Sequence, residues 1–339
     1  MKKTPTMNEV AKNPFHQWVR LEQPRLDTRV VYANDEFFAA KERLIESLEP
    51  VFVADKYDDH GKWMDGWESR RKRGPGHDYC IIKMGIPGVI RGLDIDTSHF
   101  TGNYPPEASV DACISDELVP EDADWQPLTG QVKLHGDSHH YVAVDNETAF
   151  SHIRLSIFPD GGVARLRIYG EVRPDFSHFE KNARIDLLAL QNGGRAVLCN
   201  DEHFGSMHNL NLAGRGINMG DGWETARRRR PGNDWVILSL GHRGIVDEIE
   251  IDTAHFKGNY PDRVILQAAS AAEIEFGKLD EASRDWPLLL PEQKLSADQR
   301  HTFTDEVQAI GGVTHLRMSI FPDGGISRLR VHGRLTDES

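Results

Sequence analysis

The sequence predicts an all-β chain made of two repeated jelly-roll or β-sandwich domains. Three observations predict this. The first is an internal repeat: residues 65–105 and 221–261 align without a gap, and 21 of the 41 pairs are identical. A unit this long is a whole domain, well beyond the roughly 20–50 residues of a solenoid repeat. The second is apolar alternation with period 2 rather than 3.6. In Ile249-Glu250-Ile251-Asp252 the isoleucines face one side and the acids the other. The third is turn chemistry between such runs, as in Phe158-Pro159-Asp160-Gly161-Gly162.

Residues 1–26 read as a loosely ordered leader without an apolar h-region, and no stretch of the chain is long and apolar enough to span a membrane. The first domain is expected over 27–173. Asn34 to Phe38 matches Asn200 to Phe204 at an offset of 166, the long block matches at 156, and His152 to Gly170 matches His315 to Gly333 at 163 with 13 of 19 pairs identical. Drifting offsets mean insertions, which belong in surface loops. The segment 39–63 is the longer version in the first copy, and 297–312 in the second. Helix is minor, with one candidate over Glu36 to Leu48. The alternating runs Ile153 to Ile157 and Arg165 to Tyr169, joined by the Asp-Gly turn, read as a β-hairpin. The same hairpin is expected around Asp323-Gly324-Gly325. A linker over 174–184, opened by Pro174, leads to the second domain over 185–336.

Composition narrows function. Lys and Arg number 40 against 53 Asp and Glu, a formal net charge of −13. Nucleic acid is not expected as a partner, because phosphate binding wants a basic surface. The run Arg227 to Arg230 reads as a solvated or ion-paired loop. The expectation is a soluble, cytoplasmic protein with no membrane partner. The three cysteines align with Val236, Ala269 and Ala33 in the opposite copy, so Cys80, Cys113 and Cys199 read as small apolar positions rather than nucleophiles.

Two blocks could carry chemistry. The first ends Ile95-Asp96-Thr97-Ser98-His99-Phe100-Thr101-Gly102-Asn103-Tyr104-Pro105 and recurs as Ile251 to Pro261. Asp96 and Asp252 close strands, and His99 and His255 follow three residues on. A carboxylate and an imidazole at one strand mouth can share a proton near neutral pH. Equally, Asp can cap backbone N–H groups while His packs under Phe. The second block is Asp65-Gly66-Trp67-Glu68 with Arg71, repeated as Asp221-Gly222-Trp223-Glu224 with Arg227 and Arg228. Desolvation beside tryptophan would raise the Glu68 and Glu224 carboxyls and suit a general acid. The alternative is a plain Glu–Arg pair over a core Trp.

Arg154, Arg165 and Arg167, with Arg317, Arg328 and Arg330 in the second copy, are expected to share an outer sheet face. Ion pairing is the favoured reading there, an anion site the other. No cofactor is called for. A divalent metal is left open: His-x-His and His-Glu-x-x-His are missing, so Asp96 with His99 would need ligands from separate loops. Phosphate-loop and serine-elbow motifs are absent.

These blocks, with Phe158-Pro159-Asp160-Gly161-Gly162 and its copy, resemble the allantoicase family over about residues 27–336. The resemblance implies two galactose-binding-like jelly rolls and hydrolysis of allantoate to ureidoglycolate and urea, a step of allantoin and purine catabolism. On this reading His255 and Asp252 do acid–base work, and Glu224 is an alternate acid. Arg227 or Arg228 holds the substrate carboxylate, and Asn259 serves the ureido groups. His99, Asp96, Glu68, Arg71 and Asn103 play the matching parts in the first copy. A homo-oligomer is expected. The competing readings are an enzyme on a related ureido compound such as ureidoglycolate and a non-enzymatic ligand-binding module.

Overall fold

A computed structural model of the chain describes residues 13–174, 176–180 and 182–336. It divides after Arg173 into two compact units built on one plan. The first unit carries β1 (Val19–Arg20), β2 (Arg29–Ala33), β3 (Tyr57–Asp58), β4 (Gly61–Lys62), β5 (Trp67–Glu68), β6 (Asp78–Asp96), β7 (Glu107–Cys113), β8 (Gln126–Pro127), β9 (Val132–Lys133), β10 (His139–Ala143), β11 (Ala149–Phe158), β12 (Gly162–Val163) and β13 (Arg165–Val172).

β6 organises this unit. Its first half runs antiparallel to β2 and β11, with Ala33 and Leu155 both opposite Cys80. Its second half runs antiparallel to β10 and β13, with His139 and Arg165 both opposite Asp96. β11 continues to β7 and then to β8 and β9, while β13 continues to β1. The two halves of β6 thus serve two layers. The strand passes between them near Gly85 to Gly88, where pairing with β11 jumps from Lys83 to Gly88. Alternation puts Cys80, Ile82, Leu93, Ile95, Leu155, Ile157, Leu166 and Ile168 in the buried core. Each such aliphatic side chain stabilises the fold by about 1.5–3 kcal/mol relative to an exposed one.

The second unit repeats this with β14 (Arg184–Asp186), β15 (Arg195–Cys199), β16 (Trp223–Glu224), β17 (Asp234–Asp252), β18 (Arg263–Ala269), β19 (Leu288–Lys294), β20 (Arg300–Phe303), β21 (Val313–Phe321), β22 (Gly325–Ile326) and β23 (Arg328–Leu335). β17 pairs with β15 and β21 through its first half and with β20 and β23 through its second. Leu238, Ile249, Ile251, Leu266, Leu316, Met318, Leu329 and Val331 form its core. The architecture is all-β, as the sequence predicts.

Four local expectations are corrected. β11 and β13 do not form a hairpin: each pairs with β6, and the Phe158–Gly162 turn carries the chain from one layer to the other. The same holds for β21 and β23 about β17. Period 2 identifies strands but not their partners. The helix expected over 36–48 shrinks to a single 3-10 turn at Lys41–Ile45. The preceding chain is pinned elsewhere, because Ala39 exchanges two 3.2 Å backbone hydrogen bonds with Glu68. The α-helix of the described residues is α1, Leu279–Ser283. Of the leader, residues 1–12 lie outside the described residues, and residues 13–26 are not loose. Val19 and Arg20 pair with Gly170 and Tyr169, and Phe15, Val19, Leu21 and Leu26 are buried. In the linker, Asp175 and Lys181 lie outside the described residues.

Candidate active site

Two short ladders build the same corner in each unit. β5 pairs with β12, Glu68 opposite Gly162, and β16 pairs with β22, Glu224 opposite Gly325. Alternation along β5 sends Trp67 one way and Glu68 the other. Trp67 is fully buried and its indole N–H donates to the Asp35 carbonyl at 2.8 Å. Trp223 does the same to Asp201 at 2.9 Å. Tryptophan is therefore the anchor that fixes the acid.

Glu68 accepts a 2.7 Å hydrogen bond from Asn103 Nδ2, and Glu224 accepts the equivalent bond from Asn259. The asparagines are held in turn by backbone: Gly162 N–H donates to the Asn103 carbonyl at 2.7 Å and Gly325 N–H to the Asn259 carbonyl at 2.8 Å. Gly161 makes that approach possible. Its φ is +137°, and a Cβ there would sit 2.8 Å from the Asn103 carbonyl oxygen. Burial pushes the Glu68 carboxyl above the usual range, the Asn103 hydrogen bond pulls it back, and the charge of Asp58 pushes it up again. Burial also raises Glu224, against the Asn259 hydrogen bond.

Cavities open on this corner. In the first unit Glu68 and Asn103 line two of them. One, of about 510 Å³, is lined also by Arg71, Lys72, Tyr104 and Asp160. The other, of about 550 Å³, is lined also by Phe52, His60, Lys62, His99 and Asp137. In the second unit Glu224, Asn259, Arg227, Arg228 and Asp323 line a cavity of about 550 Å³. Arg71 and Arg227 are exposed and have no ion-pair partner among the described residues. Arg228 differs: its guanidinium pairs with Asp234, and its backbone N–H donates to Asp323 at 2.9 Å. Lys72 takes the same place in the first unit, 2.6 Å from Asp78.

The expected Asp–His pairs do not form. Asp96 and Asp252 are buried on the outer side of the second layer, where they accept backbone N–H groups from Ser98 at 2.7 Å and Ala254 at 2.8 Å. Asp252 also pairs with Arg215 at 2.9 Å. His99 and His255 turn away, with φ of 69° and 71°. Their N–H groups donate to Asp137 and Asp298. His99 Nε2 meets the Pro50 carbonyl at 3.1 Å and His255 Nε2 meets the Gly216 carbonyl at 2.8 Å. A carbonyl only accepts, so Nε2 carries a proton in each ring. His99 lines a cavity with Glu68; His255 is not among the residues lining the Glu224 cavity.

The arginine face splits. Arg165 and Arg328 pair with Asp65 at 3.0 Å and Asp221 at 2.8 Å. Arg167 and Arg330 donate to backbone carbonyls, of Leu48 at 3.0 Å and of Leu212 at 2.7 Å. Arg154 and Arg317 belong to the other layer, on Asp111 at 2.8 Å and Asp280 at 3.0 Å. They therefore share no face with the rest, and ion pairing accounts for them. Burial pushes all three thiols up, Cys113 to about 11. Among the described residues no three His, Cys, Asp or Glu side chains converge as a metal site.

Some neighbours of the site escaped sequence reading. Asp160 and Asp323 lay in a block read only as a turn, although its repetition was visible. His60 and Lys62 sit in the insertion, which has no counterpart in the second copy. His139 meets Asp94 at 2.8 Å on the outer face, and that hydrogen bond pushes its pKa up to about 9.

Two β-sandwich repeats, each with a carboxyl raised by burial that lines a cavity with an arginine lacking an ion-pair partner among the described residues, define a repeat-built protein with pockets for small polar ligands. The allantoicase repeat matches residues 19–173 and 185–336. A protein described as probable allantoicase 2 from Burkholderia pseudomallei is 52% identical over 94% of this chain and 95% of its own. A probable allantoicase from Photobacterium profundum is 53% identical over 94% and 97%. The crystal structure of allantoicase from Saccharomyces cerevisiae superposes with a TM-score of 0.79 at 34% identity, covering 98% of this chain and 99% of that one. The chain belongs to the allantoicase family. It is accordingly a hydrolase acting on carbon–nitrogen bonds outside peptides, built on two galactose-binding-like jelly rolls.

Proposed function

We propose that the chain hydrolyses allantoate to ureidoglycolate and urea, with the acid work done by Glu68 and Glu224. The observation that carries this reading is the Glu–Asn pair facing a cavity with an unpaired arginine, present in both repeats.

Allantoate has one carbon bearing a hydrogen, a carboxylate and two ureido groups. Arg71 or Arg227 holds the carboxylate through its guanidinium fork. A carboxyl whose proton is held more tightly because of burial delivers it to the leaving ureido nitrogen. The carbon–nitrogen bond then breaks, urea departs, and the lone pair of the remaining ureido nitrogen supports the cationic carbon. Water adds to that carbon and returns a proton to the carboxylate, leaving ureidoglycolate. Asn103 and Asn259 keep the carboxyl oriented through both steps. In the first repeat His99 lines the same cavity as Glu68 and can relay that proton from the water to the carboxylate. Asp96, Asp252 and His255 act as supports of the loop in this reading, and Arg228 as a structural cation.

No helix among the described residues is long and apolar enough to cross a membrane. The same reading makes the protein a cytoplasmic homo-oligomer. Reduced, unpaired Cys80, Cys113 and Cys199 fit a reducing compartment, and light scattering tests the oligomer. Urea release from allantoate by the purified protein tests the activity. Turnover on ureidoglycolate alone would replace the substrate assignment.

A further inference from the structure

The corner is not the same in the two repeats. The backbone bridge that frames it joins Ala39 to Glu68 in the first repeat and Gly205 to Glu224 in the second, spans of 29 and 19 residues. The ten extra residues of the first repeat include the β3–β4 hairpin. That hairpin reaches the catalytic corner: His60 and Lys62 line the second cavity together with Phe52, His99 and Asp137, and its wall is Glu68 with Asn103. Asp58, on the same hairpin, is close enough to act on the Glu68 carboxyl.

The chemistry of this second cavity is distinct. It has no unpaired guanidinium. It has Lys62 Nζ standing 4.4 Å from the centre of the Phe52 ring, with no ion-pair partner among the described residues. It has the His60 ring against Phe37 at 4.5 Å, the His99 imidazole, and the Asp137 carboxylate. The Lys62 ammonium as donor, the Asp137 carboxylate as acceptor and the Phe52 ring as a flat face suit a planar group with several N–H bonds and one carbonyl. The ureido group has that composition.

Resting on the reading of Glu68 as the acid, we infer that the insertion builds a pocket for the departing ureido group, so that the first repeat handles a carbon bearing two ureido groups. The carboxylate and the retained ureido group occupy the Arg71 cavity, and the leaving one lies across the Glu68–Asn103 wall against Lys62 and His60. The proton from Glu68 then meets the nitrogen at the boundary between the two cavities. His60 and Lys62 are positioning and specificity residues here, and the second repeat lacks counterparts for both.

The test uses the full chain carrying the Glu224→Gln substitution, so that turnover reports the first repeat. His60→Ala and Lys62→Ala are added together, both at exposed positions. kcat/KM for allantoate is measured alongside the inhibition constant of N-carbamoylglycine, a stable carboxylate with one ureido group. The expected result is a fall of at least tenfold in kcat/KM with the inhibition constant unchanged within twofold. Equal losses in both, or no loss in either, would overturn the inference. A Glu68→Gln companion separates the two levels. If it abolishes first-repeat turnover while the hairpin variant keeps it, only the pocket is wrong. If it too retains turnover, the acid assignment itself fails.

Discussion

Asn103 Nδ2 donates to Glu68 Oε1 at 2.7 Å, and Asn259 donates to Glu224 in the same way. Asn103 is 35 residues from Glu68, and Asn259 is 35 from Glu224. The repeat therefore preserves a paired contact between two loops and not merely two residue types. If these carboxyls are the acids, Glu68→Gln and Glu224→Gln together should lower kcat by about 10²–10⁴-fold, the range for loss of a positioned general acid. Far-ultraviolet circular dichroism should be unchanged. Each single substitution reports the share of its repeat.

The Asn103 hydrogen bond favours the ionised form of Glu68 while burial opposes it. Asn103→Ala therefore raises the Glu68 pKa. The catalytic form is the protonated one, which is lost as pH rises through that pKa. The basic limb of the kcat profile should move to higher pH in the variant, and a limb moving lower would contradict the assignment.

Arg71 and Arg227 line the cavities without an ion pair among the described residues. Arg71→Ala and Arg227→Ala together should raise KM for allantoate by roughly tenfold or more, the effect of losing about 1.5–3 kcal/mol of charge-assisted hydrogen bonding. Arg228→Ala should act differently. It leaves the buried Asp234 carboxylate with the Asn200 amide but without its cation, and should lower the unfolding midpoint more than it changes KM.

Gly161 and Gly324, at φ of +137° and +136°, let the chain lie close against the asparagine carbonyls. Gly161→Ala combines a strained backbone with an impossible approach to the Asn103 carbonyl. A loss of at least about 1–3 kcal/mol is expected from the backbone alone, read from chemical denaturation. Activity of the first repeat should fall with it, because Asn103 is displaced from Glu68.

Much of this was legible in the sequence, for definite reasons. An alignment of the chain with itself exposed Glu68, Arg71 and Asn103 together with Glu224, Arg227 and Asn259, because all six sit in the ungapped block. Strands were legible because one face of each is buried, which imposes period 2. What failed was anything set by distant partners. The 19-residue strand β6 separates β11 from β13, and no local pattern in Ile153 to Tyr169 announces that. Asp96 and His99 are only three residues apart, but the left-handed backbone at His99 sends the two side chains to different places. His60 and Lys62 were hidden because the comparison of repeats is blind to what only one of them carries.

The most direct measurement of the central claim is urea release from allantoate by the native protein and by the Glu68→Gln, Glu224→Gln double variant. The account predicts steady release by the first and a loss of about a hundredfold or more by the second, with the unfolding midpoint preserved. Native-level release by a folded double variant would contradict it, and the acid would have to be sought elsewhere in the chain.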